Sequence, residues 1–270
     1  MTASPETPAG AGTSAPGALA AAQAELGVFQ ALGMGWRLMA TDFWPLWTVA
    51  LVATLLSAAG GLLGPVSIFI LVPVIGAGVA YAVRRKMDGH RADVGDVFAG
   101  FQQRFGQSIV AFLPAALVGL VHAMLMMPII LAAVIGCIAV GEECRHDEEI
   151  LIGILLIVAA ALVLLALLAA AMLLVRALFW FVLVAVWDHP ESGWAAVRES
   201  VRAVKSHYVR TIGFLIVACL IHMASSIVGT MLCGVGVYFT GPAALVWLTA
   251  SGVYLYRSWT GRPLVSEPRP

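Results

Sequence analysis

The sequence predicts an all-α polytopic membrane protein with six transmembrane helices and interfacial amphipathic helices. Three observations predict it. Charged residues make up only 11% of the 270 positions, where a soluble domain carries about 25% to coat its surface. Hydrophobic residues make up 61%, and mean hydropathy is +0.96. Long uncharged runs recur, each able to cross a hydrocarbon core ~30 Å thick. These features exclude an ordinary soluble enzyme and a disordered chain. The balance of 15 basic and 15 acidic residues leaves nucleic-acid binding without electrostatic support. Four cysteines do not make a disulfide scaffold.

Residues 1–24 are Ala, Pro, Thr, Gly and Ser with one carboxylate, Glu6. Such a segment buries too little apolar surface to offset its ordering entropy, so a disordered tail is expected. It has no basic start and no apolar run ending in a cleavage site, so no secretory signal peptide is expected either. Leu26, Phe29, Leu32, Trp36 and Met39 follow at helical spacing, which predicts an interfacial helix or an extension of the first span. The membrane domain is expected over 25–258, and a short polar tail over 259–270.

The first span is Phe43–Gly64, with Phe43, Trp44 and Trp47 at headgroup level. Leu62 to Pro65 supplies a turn, because Pro cannot continue the helix and Gly permits left-handed geometry. The second span, Pro65–Val83, contains Pro73 and ends at Arg84, Arg85 and Lys86. In the polar segment after it, Val94, Val97, Phe98, Phe101 and Phe105 predict a second amphipathic helix. Ser108–Val140 is the third span, broken by Pro128, and Gly141–Glu149 is an acidic loop. Ile150–Trp187 carries one charge, Arg176, over 38 residues. As a straight helix it is ~57 Å long, so it must tilt, break or project beyond the membrane. Asp188–His207 places Trp194, Val197, Val201, Val204 and Tyr208 on one face and Arg198, Arg202 and Lys205 on another. Val209–Cys233 and Val235–Tyr256 are the last two spans. Eight segments is the rival count, reached if both long middle runs contain a re-entrant piece.

The plan of amphipathic helix, span, turn and span recurs. GWRLMATDF at 35–43 and SVRAVKSHY at 200–208 both place an aromatic residue six positions after an Arg. A hairpin repeat accounts for this, and so does any apolar hairpin entered from a basic interface. Six spans put both termini on one side. That side carries Arg37, Arg84, Arg85, Lys86, Arg91, Arg104, Arg198, Arg202, Lys205, Arg210, Arg257, Arg262 and Arg269, thirteen of the 15 basic residues. Lys and Arg near span ends stay in the cytoplasm. Both termini are therefore expected to face inward across an inner (plasma) membrane.

Three stretches carry a family resemblance: GWRLMATDFWPLW, PVIGAGVAYAVRRKMDGHRADVGDVFAGF and RALFWFVLVAVWDHPESGWAAVRESVRAVKSHY. A Pro-x-x-Gly span leads to a basic turn and an Asp-x-Phe-x-x-Phe helix. Later, an Arg-containing span ends in Asp before a small amphipathic helix. Over residues 33–258 the chain resembles a broad group of bacterial six-span membrane proteins. The group includes the YciC-like proteins and the membrane domain fused to some glycerophosphodiester phosphodiesterases. The region around 128–165 departs from the pattern. The resemblance implies a fold and no reaction.

No nucleophile elbow, Walker loop, His-Glu-x-x-His or Cys-x-x-Cys occurs. Asp88, Asp93 and Asp96 read as solvated and helix-N-terminal charge rather than a metal site. The outer Cys144, His146, Asp147, Glu148 and Glu149 read as a solvated charge run before a zinc or copper site. Cys144 and Cys233 both fall near the outer face, where a disulfide is permitted; the other reading is small buried hydrophobes. His122, Arg176, Cys219 and His222 fall at similar depth and form a candidate polar cluster. Two neutral imidazoles there are able to ligate haem or copper, against a reading of separately satisfied residues with Arg176 snorkelling. No cofactor, catalytic residue or metal is expected. The basic residues Arg84, Arg85, Lys86, Arg198, Arg202 and Lys205 are candidate lipid-headgroup contacts. Membrane lipids are the expected partners, with a protein partner or a second copy beside them. The functional expectation is a non-catalytic domain that organises lipid or a partner. A small-molecule or lipid transporter is the second class, and a membrane-embedded enzyme the third.

Overall fold

The computed structural model describes residues 26–62, 64–143, 148–232, 234 and 236–264. The tail expected over 1–24, and both Cys144 and Cys233, lie outside them. The described residues are helical almost throughout and contain no strand. Helices α1 (Val28–Thr41), α2 (Phe43–Leu62) and α3 (Pro65–Met87) come first, then a 3-10 turn (Val94–Phe98) and α4 (Ala99–Gln103). Two long helices follow, α5 (Phe105–Glu143) and α6 (Glu148–Ala177). The short α7 (Val182–Ala185), then α8 (Gly193–Ser206), α9 (Tyr208–Met231) and α10 (Val237–Trp259), complete the fold.

Local chemistry sets these boundaries. Gly64 adopts φ 101°, which a side chain disfavours, and Pro65 opens α3 with its φ already suited to a first turn. Asp93 Oδ1 accepts from Gly95 N at 2.7 Å, while Asp96 Oδ2 accepts from Asp93 N at 2.9 Å, which closes the start of the 3-10 turn. Ser192 caps α8 by accepting from Trp194 N at 3.2 Å. The 38-residue apolar run breaks after Ala177: residues 178–181 form turns, and α7 begins at Val182.

Four stretches are long and apolar enough to cross a membrane: Phe43–Leu62, Phe105–Gly136, Val158–Ala185 and Tyr208–Met231. The chain is thus an all-α protein fit to cross a membrane more than once. Helices α3 and α10 match these in length, at 23 residues each. Helix α10 is central to the packing. Every residue from Ala250 to Arg257 is buried, so small and polar groups such as Ser251 and Gly252 face protein on all sides.

Packing concentrates at one end. Phe181, Val186, Val204, Phe214, Leu255 and Tyr256 form its largest cluster, and Val49, Val79 and Val97 belong to a second. The stripe expected to make α1 interfacial divides instead. Leu32 and Met39 are buried, but Phe29 and Trp36 are exposed. Helix α1 runs antiparallel along α10: Leu26 N donates to Ser258 Oγ at 3.0 Å, and Trp247 Nε1 to Leu32 O at 2.8 Å. The residues expected as a second amphipathic helix form the 3-10 turn and α4, which run back along α3. There Gly78 meets the Val97 carbonyl and Gly100 meets the Val74 carbonyl, so close that a Cβ at either position would collide. At the other extreme, the most apolar windows of α5 and α6 have no buried residue.

Candidate functional site

The basic end of α3 gathers the charges. Arg84 Nη1 donates to Asp188 Oδ1 at 2.6 Å, and Arg262 pairs with the same oxygen. The Asp188 side chain is 5% exposed. Asp88 accepts from the buried Arg257 at 2.9 Å. Arg85 reaches the buried Asp96 at 2.6 Å, and Lys86 pairs with Asp42 at 2.9 Å. Five cations, three from the end of α3, one from α10 and one from the segment after it, therefore share four carboxylates that come from the 3-10 turn and the residues just after α1, α3 and α7. Low-dielectric surroundings strengthen each attraction, but the two oxygens of a buried carboxylate must be filled for the pairing to repay desolvation.

The loop after α7 is held from several sides. Trp187 Nε1 donates to Ala77 O at 2.8 Å, and its ring lies 4.5 Å from that of Tyr81. Arg104 lies 5.9 Å over the Trp187 ring and donates to Pro190 O at 3.3 Å. Glu191 is held below the usual carboxylate range by its own backbone N–H and by His189. The chemistry of this layer is ion pairing between helix ends.

Helix α8 presents a second basic surface. Gly193, Ala196, Val197, Ser200, Ala203 and Val204 face the bundle. Ser200 Oγ donates to Leu178 O at 3.0 Å. On the opposite face Trp194, Arg198, Arg202 and Lys205 are exposed. Arg202 pairs with Glu199 at 2.9 Å.

The six candidate headgroup residues thus divide. Arg84, Arg85 and Lys86 turn to carboxylates of the protein, while Arg198, Arg202 and Lys205 point outward. None of the four residues of the candidate polar cluster lies in the packed core. Arg176, Cys219 and His222 are exposed, and only His122 is half-buried, its Nδ1 without a partner. Similar depth does not determine which side of a helix faces the core. On α9 the core takes Phe214, Leu215 and Ala218, and packing thins beyond them. Among the described residues no group of three His, Cys, Asp or Glu side chains is placed to hold a metal ion. The candidate disulfide partners Cys144 and Cys233 lie outside the described residues.

Sequence reasoning missed the carboxylates Asp42 and Asp188 and their cations Arg257 and Arg262. One signal was available: Asp188 directly ends a long apolar run, where an unpaired carboxylate is costly. No curated protein and no solved structure matches the chain. A family model described as a domain of unknown function, DUF7847, matches residues 7–256. A match over nearly the whole chain assigns it: the protein belongs to the DUF7847 family.

Proposed function

We propose that the protein is a non-catalytic membrane domain that organises anionic lipid at the cytoplasmic face of an inner membrane. On this reading α2, α3, α5, α6, α9 and α10 are six spans, and both termini are cytoplasmic. The domain is of the same kind as the YciC-like group. The observation that carries the reading is α8. One face is buried in the bundle, and the other exposes Trp194, Arg198, Arg202 and Lys205. An amphipathic surface with a tryptophan and three cations matches an anionic headgroup layer. Each basic residue near such a surface contributes about 1 kcal/mol; Arg202 is already paired with Glu199, so Arg198 and Lys205 together supply about 2 kcal/mol, reduced by salt.

The test is thermal unfolding of the purified full chain in neutral detergent, with added phosphatidylglycerol or phosphatidylcholine. Phosphatidylglycerol is expected to raise the midpoint, and the triple variant Arg198→Ala, Arg202→Ala, Lys205→Ala is expected to abolish that rise. Equal stabilisation by both lipids sinks the reading, and substrate-dependent flux in proteoliposomes replaces it with transport.

A further inference from the structure

A cavity of about 410 Å³ opens between the start of α2, the end of α3 and residues 91–94, with Pro45, Thr48, Arg85, Arg91, Asp93 and Val94 in its lining. Its size falls within the range of small-ligand sites. Its lining is mixed in sign. Arg85 uses one N–H on Asp96, and a guanidinium has five N–H donors. Arg91 is exposed and makes no ion pair or hydrogen bond among the described residues. Asp93 accepts from Gly95 N through Oδ1 and closes the capping box with Asp96, and no cation pairs with its carboxylate among the described residues. One cavity therefore offers cationic donors together with a carboxylate acceptor.

We propose that this cavity holds a phospholipid headgroup carrying both a phosphodiester and a primary ammonium, as in phosphatidylethanolamine. The phosphodiester oxygens take N–H donors from Arg91 and Arg85, and the ammonium donates to Asp93. A purely anionic headgroup leaves Asp93 as a repelling neighbour. A quaternary ammonium has no N–H to give it. The lipid, rather than a soluble phosphoamine, follows from position. Pro45 and Thr48 belong to the first turns of α2, beside the exposed Trp44 and the half-buried Trp47. Tryptophans favour the headgroup level, and the apolar outer surface of α2 leads away from there for acyl chains. The proposal rests on the membrane placement above but uses none of the α8 cations.

Native mass spectrometry of the delipidated full chain provides the test. The chain is titrated with phosphatidylethanolamine, phosphatidylcholine and phosphatidylglycerol of the same acyl chains, and with water-soluble phosphoethanolamine. Phosphatidylethanolamine is expected to bind at least tenfold more tightly than the other two lipids. Arg91→Gln and Asp93→Ser are each expected to remove that preference; serine still caps the turn, and thermal midpoints check the fold. The α8 triple variant is expected to keep it, so loss of the phosphatidylglycerol effect and loss of this preference are separate results. Equal binding of the three lipids, or an unchanged preference in both pocket variants, overturns the proposal. Phosphoethanolamine binding as tightly as the lipid overturns the lipid assignment.

Discussion

Replacing Asp188 with asparagine keeps the shape of the side chain and removes the charge that Arg84 and Arg262 share. Removing one partner of a fully buried ion pair costs ~3–5 kcal/mol, because the other charge is left uncompensated. Here the carboxylate is buried, but the two arginine side chains are 30% and 31% exposed. Water recovers part of their solvation, which lowers the expected loss to about 2–3 kcal/mol. In a chain of this size ~1 kcal/mol moves the unfolding midpoint by ~2–4 °C, so Asp188→Asn is expected to unfold roughly 4–12 °C below wild type. Intrinsic tryptophan fluorescence in detergent reads this, since Trp187 is the adjacent residue. A double-mutant cycle with Arg84→Gln isolates the pair, and a coupling of ~0.5–3 kcal/mol is expected. A midpoint within ~2 °C of wild type, or strictly additive single losses, refutes the argument that this pairing holds the helix ends.

Gly78→Ala and Gly100→Ala each drive a methyl into a backbone carbonyl; a loss of ~1–3 kcal/mol is expected, while Gly106→Ala, which meets nothing within 4 Å, leaves the midpoint unchanged apart from local helix preference. Ser200→Ala strips the donor from the Leu178 carbonyl and is expected to cost ~1–3 kcal/mol, read as an earlier thermal midpoint. On a cysteine-free background, Ser206→Cys is expected to resist an impermeant thiol reagent in intact cells while Gly141→Cys reacts; labelling of Ser206→Cys from outside refutes the cytoplasmic placement of the basic end.

Helix starts were legible where one residue type has one physical use. Gly64 and Pro65 marked the turn before α3, and the ~57 Å apolar run required a tilt, a break or a projection; a break occurs after Ala177. The basic face of α8 was legible too, because Arg198, Arg202 and Lys205 recur at helical spacing. Its apolar face was read less well. Trp194 is exposed, and the small residues Ala196, Ser200 and Ala203 pack inward, because close approach to neighbouring helices selects for size rather than hydropathy. The ion pairs were not legible at all. Arg84 and Asp188 stand 104 residues apart, and no local spacing predicts which carboxylate a basic triplet meets. The same limit applies to Arg176: its depth could be counted along the chain, but its direction depends on how α6 is rotated against its neighbours.

The pairing of α1 with α10 has a consequence in time. Leu32 and Trp247 are 215 residues apart, and chains are made at ~5–20 residues per second. Roughly 10–40 s therefore pass between the emergence of α1 and that of the helix it lies along. Through that interval Ala31, Leu32, Gly35 and Met39, all buried in the finished fold, lack the surface of α10. Helix α1, made well before α10, is thus among the last to dock. A ribosome that stops short of Val237 releases a chain in which every earlier span can insert while α1 lacks the surface that completes it.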